Sequence, residues 1–249
     1  NKYINNAIVI SDSNTNSNDF LNDLLDSVCI LHRDGLGFTF THRSFQEYFT
    51  AQFIVNKVTD KKYDLLDRLF NLNWRDNVLN MICDINPSLL EKDWIIPKCE
   101  KIISDIQSDN NDLLILHKMY ASLTEMYEEK HSEIGFNFGG KNKYGEFCFF
   151  MGKFYEKDYL EYRRENPRIK TKDGMHFEEL LIDYINENGD IDLDDMRVID
   201  PYVRELIKKS EIVEHVYDYL NFFKYIVNLL KKKHNRQDIE IMSLILGKS

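Results

Sequence analysis

Apolar positions along the 249-residue chain recur mostly at the helical period of 3.6. After a polar run from Ser11 to Asn18, which reads as a loop, Phe20, Leu21, Leu24, Leu25 and Val28 form the first helical stripe. Tyr63, Leu66, Leu69 and Phe70 predict a second helix, and Trp74, Val78, Met81 and Ile82 a third. Trp94-Ile95-Ile96 precede Pro97, a residue suited to the first turn of a helix that continues through Ile102, Ile103 and Ile106. Leu113, Leu116, Met119, Tyr120, Leu123 and Tyr127 predict one long helix. Glycines clustered between 135 and 145 break the pattern, and there Phe136 and Phe138 alternate as a short hairpin would. Helical spacing resumes at Phe147, Phe150, Met151, Phe154 and Tyr155. A helix over 176–188 ends at Gly189, Asp200-Pro201 opens another, and a long helix runs from Val213 through Leu230.

One stretch departs from this rule. Cys29-Ile30-Leu31 is a short apolar run, and Phe38 and Phe40 alternate with Thr39 and Thr41. Between them Asp34-Gly35 predicts a tight hairpin turn. Ser44-Phe45-Gln46-Glu47 matches a capping box, with the Ser44 hydroxyl and Glu47 carboxylate satisfying reciprocal backbone donors. The helix it opens carries Phe45, Tyr48, Phe49 and Phe53 on one stripe, expected in the core. The predicted fold is therefore mainly α. A winged-helix part with a small β-hairpin (1–57) is followed by a helical array (58–133) and a C-terminal helical domain (134–249).

Composition supports that reading. Gly (10) and Pro (4) are few for a turn-rich β protein, while Phe (16) and Tyr (14) supply material for real cores. A net charge of -10 disfavours a general nucleic-acid coat. Cys29, Cys83, Cys99 and Cys148 contain no C-x-x-C pair, so neither a zinc knuckle nor a redox motif is spelled, and a reducing, cytoplasmic setting is expected. No apolar run approaches the roughly 20 residues needed to cross a bilayer. The chain opens on Asn1 rather than Met, and is expected to be a piece of a longer protein.

The segment Phe38-Thr39-Phe40-Thr41-His42-Arg43-Ser44-Phe45-Gln46-Glu47-Tyr48-Phe49-Thr50-Ala51 resembles the winged-helix signature of NACHT-type STAND NTPases, in which a strand ending Phe-x-His leads into Ser-Phe-Gln-Glu-Tyr/Phe-x-Ala. Trp74-Arg75-Asp76-Asn77-Val78-Leu79 is similar to the Trp-containing helix that commonly follows. The resemblance is dense over about 20 residues and extends to about residue 100. It implies that Phe38, Phe40, Ser44, Phe45, Gln46, Glu47, Tyr48, Ala51 and Trp74 are structural signature positions. It also implies that His42 contacts the β-phosphate of bound ADP and holds the inactive state; the competing reading is that His42 caps the following helix. ADP or ATP with Mg²⁺ would be held by an upstream nucleotide-binding domain, because this chain has no G-x-x-x-x-G-K-[ST] loop. By the same resemblance the chain is not itself an enzyme. The resemblance implies instead a regulatory and sensor segment of bacterial antiviral defence, expected to respond to a trigger such as a phage protein and to oligomerise on activation.

Other constellations are weak. Glu128-Glu129-Lys130-His131 contains one Glu-x-x-His, where a di-iron bundle needs two, and reads as a solvated helix face. The acidic run 186–195 fails the calcium-loop spacing, since Gly189 at position 6 puts Tyr184 at position 1. Lys231-Lys232-Lys233-His234-Asn235-Arg236 reads as a cationic helix C-terminus. The alternative function is a helical adaptor whose winged helix binds DNA or protein; an enzyme with a helical metal site is a third. DNA is not expected as a partner, because Asp19, Asp23 and Asp26 lie on the helix that would enter the groove.

Overall fold

The first helix begins where the Asn16 side chain accepts from the Asn18 amide at 2.9 Å, a cap for donors that have no helical partner. In the computed structural model, which describes residues 16–73, 75–109, 111–128, 131–138 and 144–245, the chain divides into two compact units, 1–94 and 95–249. Helix takes 69% of the described residues, and the fold is mainly α, as the sequence predicts.

In the first unit, helix α1 (Ser17–Asn22) runs on through a wider π-type segment, Asp23–Ser27. Cys29, at φ +54°, swings the chain into strand β1 (Leu31–Asp34), antiparallel to β2 (Gly37–Phe40) with Leu31 opposite Phe40 and Asp34 opposite Gly37. The turn is one residue later than predicted: its central pair is Gly35-Leu36, and only Gly35 has positive φ (+55°). A glycine at the first central position serves such a turn, and leucine is tolerated at the second. At the other end the Thr41 hydroxyl donates to the Cys29 carbonyl at 2.7 Å and the Thr41 amide to that of Ile30 at 2.9 Å, which locks the hairpin root.

Helix α2 (Arg43–Lys57) follows, then α3 (Lys62–Asn73), α4 (Val78–Ile85) and a single turn, α5 (Pro87–Leu90), capped by Asn86. Glu47, Ala51 and Ile54, at i, i+4 and i+7, form the buried stripe of α2, which packs against α4. Leu66 and Phe70 bury α3; the Phe70 ring lies 5.7 Å from that of Trp94, whose indole N–H donates to Asp67 at 3.4 Å.

The second unit opens with α6 (Ile96–Gln107) and α7 (Asp112–Met119). The predicted long helix over 113–127 then stops. Tyr120 is extended, and residues 122–128 form β3 (Ser122–Glu128), paired with β4 (His131–Asn137) on one side and the short β5 (Ile191–Asp192) on the other. The reason is long-range. Leu123 sits opposite both Phe136 and Ile191, and the Ala121 amide donates to the Asn137 carbonyl at 2.8 Å, so pairing partners override the local period. Glu128 and His131 are therefore the facing ends of a hairpin, not neighbours on a helix. The expected boundary near 134 falls inside β4, and that near 58 inside the first unit.

Beyond the sheet come α8 (Gly145–Phe154), α9 (Glu156–Glu165), α10 (Lys172–Asn188), α11 (Pro201–Lys209) and α12 (Glu214–Ile245). Gly189 (φ +87°) ends α10, and Asp200 caps α11 ahead of Pro201, as predicted. Phe147, Phe222, Phe223, Ile226 and Leu230 are buried, and α12 packs along α6. Because α12 continues to Ile245, the cationic block 231–236 lies within the helix, not at its end. There the Lys231 ammonium pairs with Glu100 at 2.6 Å and His234 is buried. Among the described residues no helix is long and apolar enough to cross a membrane.

Candidate functional site

Two demands meet where β2 ends and α2 begins. The chain must leave an extended strand and enter a helix whose first amides have no helical partner. His42 is extended (φ -138°, ψ 137°) and answers the second demand: its Nδ1 accepts from the Ser44 amide at 3.2 Å and lies 2.7 Å from the Ser44 hydroxyl. His42, not Ser44, is therefore the cap. Ser44 stands inside the helix, and the predicted capping box does not form because the helix starts two residues earlier than a Ser44 cap requires, at Arg43. A ring that accepts at Nδ1 carries its hydrogen on Nε2. His42 is exposed, so this cap leaves one N–H donor of the imidazole pointing away from the hydrogen bonds that fix it.

Glu47 is buried, and its partner is not the His42 or Ser44 backbone. It accepts from Arg43 Nε at 3.0 Å, while the same guanidinium donates through Nη2 to Asp76 in the turn before α4. Phe40, Gln46, Thr50, Leu69 and Val78 join these charged residues around an open cavity of about 540 Å³.

The aromatic stripe of α2 is not core. Phe45, Tyr48, Phe49 and Phe53 are 37%, 43%, 44% and 60% exposed, and Phe38 on the hairpin is 48% exposed. The stripe is periodic, as the sequence suggested, but α2 carries a second apolar stripe through Ala51 and Ile54, and that one takes α4. Phe49 stacks with Phe40 at 5.8 Å and meets Tyr48 edge-on at 5.5 Å, so the hairpin and the helix share one aromatic surface. Patches of this kind mark interaction sites more often than isolated surface apolars do. Gln46 is exposed and Ala51 fully buried; Trp74 lies outside the described residues.

The structure thus gathers His42, Ser44, Phe38, Phe40, Phe45, Tyr48 and Glu47 around one junction. It adds Arg43 and Asp76, whose pairing sequence reasoning missed. The Arg43–Glu47 spacing of four was a readable signal; the reach to Asp76 had none. On α1 and the π-type segment that continues it, Asp19, Asp23 and Asp26 are all exposed.

Elsewhere the strongly perturbed groups belong to the second unit. Burial, with Arg168, Arg163 and Lys170 nearby, pulls His215 down to about 4. Its Nδ1 accepts from Arg168 at 2.9 Å and its ring stacks on Phe136 at 4.9 Å. Among the described residues no group of three or more His, Cys, Asp or Glu side chains could hold a metal ion. No protein-family model, curated protein or solved structure matches the chain.

Proposed function

We propose that this chain is the regulatory and sensor segment of a NACHT-type NTPase acting in bacterial antiviral signalling in the cytoplasm. In this reading the aromatic surface of Phe38, Phe45, Tyr48, Phe49 and Phe53 docks on an upstream nucleotide-binding domain. His42 Nε2–H then donates to a phosphate oxygen of the ADP held there with Mg²⁺, and loss of that contact releases the inactive state. The second unit would meet the trigger, and release would permit oligomerisation.

The observation that carries the proposal is the double use of His42. One ring nitrogen is fixed by the Ser44 amide, and the other is left as a donor beside an aromatic surface that the described residues do not cover. A cap of this kind holds the imidazole in the tautomer a phosphate contact requires, so the capping and nucleotide readings are compatible rather than rival. The adaptor reading is weaker for DNA, since α1 presents aspartates where a phosphate backbone would approach.

The test uses the full-length protein. Nucleotide retained through purification is released by denaturation and quantified. His42→Ala should lose most of its ADP or exchange it at least about tenfold faster, the loss of about 1.4 kcal/mol expected for one charge-assisted hydrogen bond. Unchanged retention and exchange, or an upstream sequence without a phosphate-binding loop, would remove the basis for this assignment.

A further inference from the structure

The two segments that carry the family resemblance are far apart in sequence, yet one side chain joins them. Arg43 and Asp76 are separated by 33 positions. Arg43 donates through Nε to Glu47 within the first turns of α2, and through Nη2 to Asp76 in the turn that leads into α4. A guanidinium is a rigid planar fork, so two carboxylates held on two of its nitrogens are fixed relative to each other. An ammonium has no such geometry.

The three residues differ in exposure. The Arg43 side chain is 63% exposed, that of Asp76 28% and that of Glu47 only 9%. An exposed ion pair by itself adds little rigidity. Here one end of the fork is anchored on a desolvated carboxylate, and a buried charge left without its partner is costly, so that end stays closed. Below the fork, Ala51 and Ile54 of α2 pack toward Val78, Leu79 and Ile82 of α4. The apolar contact sets the distance between the helices; the fork sets the pitch of their adjoining ends. His42, covalently next to Arg43, cannot tilt without pulling on that end.

We propose that Arg43 is a strut that makes the His42 cap and the 75–77 turn one mechanical piece, so that any displacement of His42 is passed directly to α4. The coupling stands on the geometry of this unit; only its regulatory meaning, as the route by which nucleotide release at His42 reaches the helices beyond, rests on the proposed function.

The test is amide hydrogen exchange on the full chain without nucleotide, with folding checked by circular dichroism. Arg43→Gln and Asp76→Asn are each expected to raise exchange in both 42–48 and 75–82 by about tenfold, as local opening becomes shared. The two together should add little to Arg43→Gln alone, because the link to Asp76 is already cut there. Arg43→Gln/Glu47→Gln, which removes the buried charge as well, should recover stability while both segments keep their fast exchange. The strut is overturned if Asp76→Asn speeds exchange only in 75–82, or if the Arg43→Gln/Glu47→Gln pair restores wild-type exchange in both. Since no nucleotide is present, failure here leaves the phosphate role of His42 untouched, and failure of that role leaves the strut untouched.

Discussion

Gly145 offers the sharpest stability test in the second unit. It stands at the first position of α8, and a Cβ there would lie 2.6 Å from the Met119 carbonyl oxygen, 2.6 Å from Phe138 Cδ1 and 2.8 Å from Tyr120 Cε1. A ring can rotate away, but the carbonyl belongs to the last turn of α7 and moves only if the approach of α7 and α8 opens. Overpacking of this kind costs about 1–3 kcal/mol. Alanine's better helix preference offsets at most about 0.5–1 kcal/mol, and less at a helix start. The net loss of about 1–2 kcal/mol corresponds to a Tm lower by about 2–8 °C for a unit of this size. Gly152, in the same helix, is the control: the nearest atom to its Cβ would be Tyr159 Cδ1 at 3.9 Å. There alanine should raise stability by about 0.5–1 kcal/mol. Both tryptophans, Trp74 and Trp94, belong to the first unit, so far-ultraviolet circular dichroism should record the Gly145→Ala shift while tryptophan fluorescence moves less. Gly145→Ala at least as stable as wild type, or the same shift for both variants, would refute the packing argument.

Three further outcomes follow from the structure. Burial pushes the Cys99 and Cys148 thiols well up, whereas Cys29 is exposed, so a thiol reagent at pH 8 should label Cys29 promptly and those two only on unfolding; simultaneous labelling of all three would contradict the placement of the core. His215, held near 4 in the fold against 6.5 unfolded, takes up its proton only in the unfolded chain between those values. Its contribution is therefore lost as pH falls from about 6.5 to 4, by about 3 kcal/mol in all; urea midpoints across this range should fall less in His215→Gln, and equal slopes would remove His215 from the account. Duplex DNA should show no salt-sensitive shift near physiological ionic strength, because α1 offers aspartates to the backbone; sub-micromolar binding lost on Arg33→Glu would favour the adaptor reading.

Much of the helical order was legible because it is written in local chemistry. Asp200-Pro201 and Gly189 mark α11 and α10 where caps and a positive φ are needed, and Pro97 falls in the first turn of α6. The hairpin was legible for the same reason, although its turn slipped by one residue. What failed was information held in distant residues. The stripe from Leu113 to Tyr127 satisfies a helix until residues 131–137 and Ile191 claim its second half as strand. The aromatic face of α2 looked like core because period reveals that a helix has an apolar side, not which of two sides meets a neighbour. Glu47 matched a capping pattern, yet Arg43 at four residues' distance and Asp76 across the unit gave it a different role.

The central claim is that the His42 surface recognises a nucleotide-loaded upstream domain. The direct measurement is the affinity of residues 1–249 for that domain, by titration calorimetry, with ADP and without. Binding should be tighter with ADP, and His42→Ala should lose at least about tenfold, the value of one charge-assisted hydrogen bond, only in the ADP-loaded titration. Phe49→Asp should weaken both titrations, since the aromatic surface serves either state. Affinity that ignores ADP, with His42→Ala indistinguishable from wild type, would contradict it.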